Sequence, residues 1–562
     1  MTQTSPAIVA QSAVRRLPRT ALLLLCAAYV LAGFVGRDPL KGADVTTFGY
    51  MVELAAGTSA WLSPTLMGQP EAGVLLPHWL GAGALALAPA WVDPAFAVRL
   101  PSMVLLWVAL ASTWYGVYYL ARAPRAQPVA FAFGGEARPT DYARALADGG
   151  LLALLACLGL AQLSHETSPA LAQLGFAALS FFGLAALPFR QTQALAALSA
   201  GLAGLALSGA PSVATLLGLG GAGICLLPFD HETAPGRLRR HALWVLVITL
   251  AVVALATLLD LWRWRLALPA AQWSTWRSLG RLLLWFTWPV WPMALWTLWR
   301  WRHQLTQGRP ERHFAVPLWF LFVLLGGALV APPSDRALLL GLPALAALAA
   351  FALPTFERSA AALIDWFTLL FFSSCAITIW VIWISLQTGV PAKPAANVFK
   401  LAPGFEPVFS LPAFLLALVA TGVWVWLVRW RIGRHPAAIW KSLVLPAGGT
   451  ALCWFLLMTL GLPTLNYARS YAPLVRLVQV HMDAPGCVEI HGFTRAQIAA
   501  FRFHGQMDLR YASDQPSDCP WLLVHSDAIS TMRDTVGTRP WTLVASVRRP
   551  ADKDEDMLLF RR

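Results

Sequence analysis

Charge is what this sequence has least of. Only 12% of its 562 residues are Asp, Glu, Lys or Arg, where a soluble domain carries about a quarter. With 57% hydrophobic residues, that scarcity excludes a water-soluble globule, because single cores stop growing near about 250–300 residues. Seven cysteines are scattered with no Cys-x-x-Cys pair, which excludes a structural zinc site and a cysteine-dense scaffold. No P-loop, dinucleotide fingerprint, Gly-x-Ser-x-Gly elbow or His-Glu-x-x-His helix stands in a fitting context, so nucleotide-driven chemistry has no foothold. Internal repeats and low-complexity tracts are missing as well.

What is there is apolar runs of membrane-spanning length. A span needs about 20 mainly apolar residues. Thirteen candidates begin near Thr20, Arg99, Gly149, Ser168, Gln193, Ser212, His241, Leu282, Ala315, Ala337, Ala361, Leu411 and Ser442. The net charge of +14 sits in short clusters between these runs, a pattern of membrane topology more than of nucleic-acid binding. Arg15/Arg16/Arg19, Arg122/Arg125/Arg138/Arg144, Arg190, Arg237/Arg239/Arg240, Arg300/Arg302/Arg309/Arg312, Arg358 and Arg429/Arg431/Arg434/Lys441 fall in alternate loops. The positive-inside rule makes those loops cytoplasmic, so the N-terminus is inside and an odd span count puts the C-terminus outside. The run 20–36 reads as a retained first helix, with a cleaved signal peptide as its alternative. Arginine far outnumbers lysine (five lysines), which fits a GC-rich bacterial gene and hence a bacterial inner membrane.

Two outer segments exceed a turn. Loop 37–99 holds Trp61, Trp79 and Trp91 between apolar stretches too short to span, and reads as helices lying in the interface. The tail 466–562 is more polar, with strand-length apolar runs at 487–490, 521–524, 541–547 and 557–560. The expected architecture is an α-helical polytopic membrane protein, with a membrane domain 1–465 and a small α/β domain 466–562 outside. Cys487 and Cys519 both lie in that tail beside predicted strands, and an oxidising compartment would let them form a disulfide.

Because acids are rare, each outer one is informative. Asp38 and Asp44 follow the first span, His165 and Glu166 end the third, and Asp335-Arg336 follows Pro332-Pro333-Ser334. A carboxylate there acts as a general base where it reaches the proton; otherwise it is a solvated loop acid or a helix cap. Outer basic residues run against the topology rule: Arg37, Lys41, Arg99, Arg263, Arg265, Arg277, Arg281, Arg336, Lys393 and Lys400. Lipid phosphate is their natural partner, and Arg grips it with two parallel hydrogen bonds. Arg263 and Arg265 alternate with tryptophans and read as snorkelling anchors; Arg336 and Lys400 are the preferred phosphate contacts.

In the first outer loop Asp44-Val45-Thr46-Thr47-Phe48-Gly49, Trp61-Leu62-Ser63-Pro64, Gly68-Gln69-Pro70, Pro77-His78-Trp79 and Arg99-Leu100-Pro101-Ser102 follow in order. That set resembles the first loop of GT-C membrane glycosyltransferases, in the style of protein O-mannosyltransferases and lipid A aminoarabinose transferases. Val45 stands where the family has Glu, and Gly73-Val74-Leu75-Leu76 where it has Lys-Pro-Pro. The resemblance implies a GT-C fold, a polyprenyl-phosphate-linked monosaccharide such as one on undecaprenyl phosphate, and inverting transfer to lipid A, another glycan or protein. It implies Asp44 as the base, with Glu166 orienting the acceptor or sharing that role. Arg37, Lys41, His78, Arg99, His165, Arg336 and Lys400 would contact substrate. No cofactor is assigned; a divalent metal at His78 or His165 is the alternative left open. The rival classes are a secondary transporter or lipid flippase, which would carry ionisable groups at mid-membrane, and an assembly protein.

Overall fold

The computed structural model describes residues 5–562 apart from Ala72 and 228–234, 264–268, 270–271, 307–310, 331–333, 434–437, 484–485, 514–517, 537–540 and 553–554. The Pro332-Pro333 turn, Arg265, Arg309 and Arg434 lie outside the described residues.

The protein is a helical membrane bundle with a sheet domain at one end. Each of the thirteen predicted starts falls on or beside a helix, but length and composition qualify eight described helices as spans. Three helices fall short of about 20 residues: Arg19–Ala32, Gln191–Leu207 and Pro211–Leu226, with 14, 17 and 16. The segment expected from Leu282 is two helices, Trp273–Phe286 and Val290–Arg300. Pro289 lies between them, where it cannot continue the hydrogen-bond ladder. Helix Pro139–Ala156 begins before the expected Gly149 and carries Asp141 in its first turn.

Alternate loops gather at opposite ends, as the parity of the basic clusters requires. At one end Trp440 Nε1 donates to Arg15 O at 2.7 Å, Arg125 pairs with Glu311 at 2.7 Å, and Arg240 bonds Gln191 at 2.9 Å. At the other, Asp38 N donates to Asn466 Oδ1 at 3.2 Å and Arg336 faces Glu166 at 3.5 Å.

The sheet domain occupies that second end. Its strands are β1 (Cys487–His491), β2 (Asp508–Tyr511), β3 (Trp521–His525), β4 (Thr542–Arg548) and β5 (Asp556–Arg561), in the order β2-β1-β3-β5-β4. β1 is parallel to both β2 and β3, while β5 is antiparallel to β3 and β4. β3 is buried throughout, which is why its run is continuous and not alternating. β2 went unread in the sequence because Asp508-Leu509-Arg510-Tyr511 has one buried residue, Leu509. Helix Arg495–Gly505 connects β1 to β2 and opens on a reciprocal Thr494/Gln497 capping box, which satisfies two backbone N–H groups at its start. Cys487 and Cys519 are joined by a disulfide.

The first loop corrects one expectation. Helix Ala43–Ala55 does not lie in the interface: most of it is buried. Val45, Tyr50 and Leu66 share a hydrophobic core with Tyr471, Leu474, Val488, Ile498, Phe501 and Leu559 of the tail. Gly49 permits the approach, since a Cβ there would stand 2.6 Å from Ala499 Cβ. Arg502 reaches back to ion-pair with Glu53. Farther along the loop, Trp61 and Trp91 stay exposed at 51% and 85%.

Candidate active site

The chain leaves helix Arg19–Ala32, turns, and enters helix Ala43–Ala55 with Asp44 in the first turn. An acid there suits the positive end of the helix dipole, but its side chain folds back to organise the turn itself. Oδ2 accepts from Leu40 N and from Arg37 Nη2, both at 3.0 Å. Oδ1 accepts from Thr167 N at 2.8 Å. Asp44 is 2% exposed and Arg37 4%. Arg99, also buried, donates through Nη1 to Phe34 O at 3.4 Å and to Arg37 O. Burial pushes the Asp44 carboxyl up, and Arg37 and Arg99 more than reverse it, leaving it below the ordinary aspartate value.

The Asp44–Thr167 bond pins the turn between helices Leu158–Leu163 and Pro169–Ala186, and Glu166 sits on that turn. Ser168 N donates to Glu166 O at 2.8 Å. The Glu166 carboxylate is lightly held, with Arg336 Nη2 3.5 Å from Oε2. Burial raises its pKa and the Asp44 charge adds to the rise, against opposition from Arg336, Arg37 and Arg469. Arg336 starts helix Ser334–Ala350 and its side chain is 32% exposed. Around the two carboxylates stand four guanidiniums, Arg37, Arg99, Arg336 and Arg469, an excess of positive charge suited to an anionic headgroup.

Other residues singled out from the sequence have different settings. His165 is fully buried, its Nε2 3.0 Å from Tyr29 O and its ring 4.7 Å from that of Trp454. Burial pushes it down to about 3, so it is neutral and packs the turn. Gly33 makes room for it, since a Cβ there would collide with the imidazole. His78 is buried with Nδ1 3.2 Å from Val74 O and Nε2 2.9 Å from Glu71 Oε2. Lys41 pairs with Asp552 at 2.6 Å and Glu555 at 3.0 Å, so it ties the loop to the tail. Lys400 is exposed in the last turn of helix Ala392–Leu401. Arg263 pairs with Asp260 at 2.9 Å. Among the described residues no three His, Cys, Asp or Glu side chains gather as metal ligands.

The sequence reading missed Arg469 and the backbone N–H of Thr167. The first had a signal, as a lone Arg just past the last span; the second had none. It also missed the bracket around the turn that carries Asp44: Lys41 N donates to Arg469 O at 2.8 Å, and Asn466 Nδ2 to Gly36 O at 3.1 Å.

Two openings adjoin this centre. An apolar groove of about 840 Å³ lies between helices Arg358–Thr388 and Val444–Thr459, walled by Phe367, Phe371, Ile379, Cys453, Trp454 and Leu457 among others. The Trp454 ring also packs tilted against that of His165, the residue before Glu166. A second opening of about 560 Å³ is lined by Ser274, Thr275, Ser278, Leu279, Leu282 and Asp335, the neighbour of Arg336.

No protein-family model and no curated protein sequence matches the chain. Solved structures do. ArnT from Cupriavidus metallidurans bound to undecaprenyl phosphate superposes with a TM-score of 0.61 at 13% identity, over 97% of this chain and 98% of that one. The apo state of the same protein gives 0.56 at 14% identity, over 96% and 97%. The chain therefore has the ArnT-like GT-C fold along nearly its whole length.

Proposed function

We propose that the protein is a glycosyltransferase that moves a monosaccharide from a polyprenyl-phosphate carrier to an acceptor at the outer face of a bacterial inner membrane. One observation carries the reading: a polar centre rich in guanidinium groups, holding Asp44 and Glu166, is joined through His165 and Trp454 to an apolar groove of about 840 Å³. A prenyl phosphate has the matching chemistry, a long apolar tail and a charged head, and the ArnT structure that shares this fold binds undecaprenyl phosphate. The tail would lie against Phe367, Phe371 and Leu457, and Arg336 would clasp the phosphate. The hydroxyl-lined opening beside Asp335 would take the sugar or the acceptor. Electrostatic stabilisation of the departing phosphate supplies several kcal/mol in such sites, about 3 per well-placed donor.

In this reading the acceptor hydroxyl attacks the anomeric carbon from the side opposite the phosphate, with inversion. The membrane domain 1–465 and the tail 466–562 contribute jointly, the N-terminus lying in the cytoplasm and the C-terminus in the periplasm. A carrier is the weaker alternative. Asp148 is engaged by Trp114 and the Leu17 N–H, and Asp365 by Arg431, so neither is an idle acid on a transport path.

The test uses purified full-length protein in nanodiscs with undecaprenyl phosphate carrying a radiolabelled monosaccharide. Lipid A, a lipid-linked glycan and envelope protein are offered as acceptors in separate reactions. Label should pass to one of them as free undecaprenyl phosphate appears. Protein that neither binds undecaprenyl phosphate in native mass spectrometry nor moves label would overturn the proposal.

A further inference from the structure

We infer that Glu166 is the group that takes the proton from the acceptor hydroxyl, and that Asp44 is the positioning carboxylate that holds Glu166 in place. This rests on the transferase reading and deepens it, reversing the roles that the first-loop resemblance suggests.

Both acids are buried, Asp44 2% and Glu166 7% exposed, so free lone pairs decide between them. A general base needs a free oxygen within hydrogen-bond reach of the proton it removes. Asp44 has little to offer: it accepts from Thr167 N, Leu40 N and Arg37 Nη2 at 2.8–3.0 Å, and it is 2% exposed. To serve as base it would have to give up a charge-assisted bond that organises its own turn. Glu166 has one partner among the described residues, Arg336 at 3.5 Å, which is weak by hydrogen-bond geometry. Arg336 is itself 32% exposed and bonds Glu166 through Nη2. When that guanidinium swings onto a donor phosphate, Oε2 is released. Donor binding would thus unmask the base.

The step balances without a co-reactant. Glu166 takes the hydroxyl proton while the acceptor oxygen forms its bond to the anomeric carbon. The bond from that carbon to the phosphate oxygen breaks, and its electron pair leaves on the phosphate, whose added charge Arg336 neutralises. The acceptor becomes the glycoside, and the carrier becomes free polyprenyl phosphate. Asp44 moves no proton; through Thr167 N it fixes the turn that carries Glu166.

The charged groups facing Glu166 come from each element around it: Arg336, Asp44, Arg37 and Arg469. Asp335 is next to Arg336, and the adjoining His165 is neutral. Burial and Asp44 together raise the Glu166 pKa, and the base must be ionised. Activity should therefore fall as pH is lowered, with its midpoint above the ordinary glutamate range.

Turnover against pH, donor KM and undecaprenyl phosphate binding are measured in nanodiscs for wild type, Glu166→Gln, Glu166→Asp and Asp44→Asn. Glu166→Gln should lower kcat by about 10²–10⁴-fold, hold donor KM within a few-fold, and abolish the acid limb in what activity remains. Glu166→Asp should keep the limb at reduced kcat. Asp44→Asn should lower kcat by about tenfold, by displacing the turn, and retain the limb. The inference is overturned by Glu166→Gln within tenfold of wild type, or with its acid limb intact, or by loss of the limb in Asp44→Asn. Should Asp44→Asn fail to fold, the two Glu166 variants decide alone. A wild type that neither binds undecaprenyl phosphate nor turns over sinks the transferase reading instead, and this assignment with it.

Discussion

The two carboxylates of the centre stand one hydrogen-bonded turn apart and live under opposite rules. Both are buried, but every oxygen of Asp44 is engaged, while Glu166 has among the described residues one long contact, to an arginine one-third exposed. A buried charge is tolerated only when paired and hydrogen-bonded, so the Asp44 half is built for rigidity. The Glu166 half forgoes such bonds, which is what the proposed base requires. Two acids that look equivalent in sequence are told apart by how many donors point at each.

The largest effect should come from breaking the closed half. Asp44→Asn leaves Arg37 and Arg99 without their anion and should destabilise the protein by about 3–5 kcal/mol, read as a lower denaturation midpoint in detergent. The sign with pH follows. Asp44 has a depressed pKa, so its stabilisation is present above the ordinary aspartate value and disappears as pH falls through the lowered one. Asp44→Asn should flatten that acid-side loss of stability; an unchanged acid profile would remove Asp44 from the framework.

Gly33→Ala tests whether the packing beneath Glu166 matters. A methyl there drives against the His165 ring, and overpacking of this kind costs about 1–3 kcal/mol. Stability and kcat should fall together, while a kcat equal to wild type would show that the turn tolerates a displaced His165. On the open half, Arg336→Ala should raise donor KM by about 10–100-fold, as expected for removing a buried-phosphate partner worth roughly 1.5–3 kcal/mol. Arg336→Lys should fall between, since it keeps the charge and loses the fork. Identical donor kinetics in stable Arg336→Ala would reduce Arg336 to an anchor. Smallest of all, Lys41→Met removes a partly exposed pair to Asp552 and Glu555. It should cost at most about 1 kcal/mol and leave donor KM alone; a large KM change would return Lys41 to the substrate site.

The fold was legible because lipid imposes a coarse grammar: long apolar runs, and arginine clusters in alternate loops. The ends those loops share, Arg15 with Trp440 and Glu166 with Arg336, follow from parity alone. Asp44 and Glu166 stood out since acids are so few. What could not be read is what depends on distant partners. Nothing near Lys41 announces Asp552 or Glu555, and nothing in Ala43–Ala55 says that its apolar face meets Ile498 and Phe501 instead of lipid. The span count is least legible where short helices lean on neighbours. Gln191–Leu207 packs its glycines and alanines against other helices, so its length does not have to match a bilayer alone.

The core shared by the first loop and the tail has a consequence for biosynthesis. Glu53 meets Arg502 across 449 positions of chain, and Lys41 meets Asp552 across 511. At about 5–20 residues per second, a ribosome that has released the first loop needs roughly 20–90 s more before Arg502 exists. Throughout that interval Val45 and Tyr50 have no tail to pack against, and the turn carrying Asp44 lacks its bracket from 466–470. The pocket around Asp44 therefore closes only once the tail is made, though its first residues are among the earliest made. A chain cut short anywhere before the tail would lack Arg502, Asp552 and the 466–470 bracket, and the Asp44 turn would stay without them.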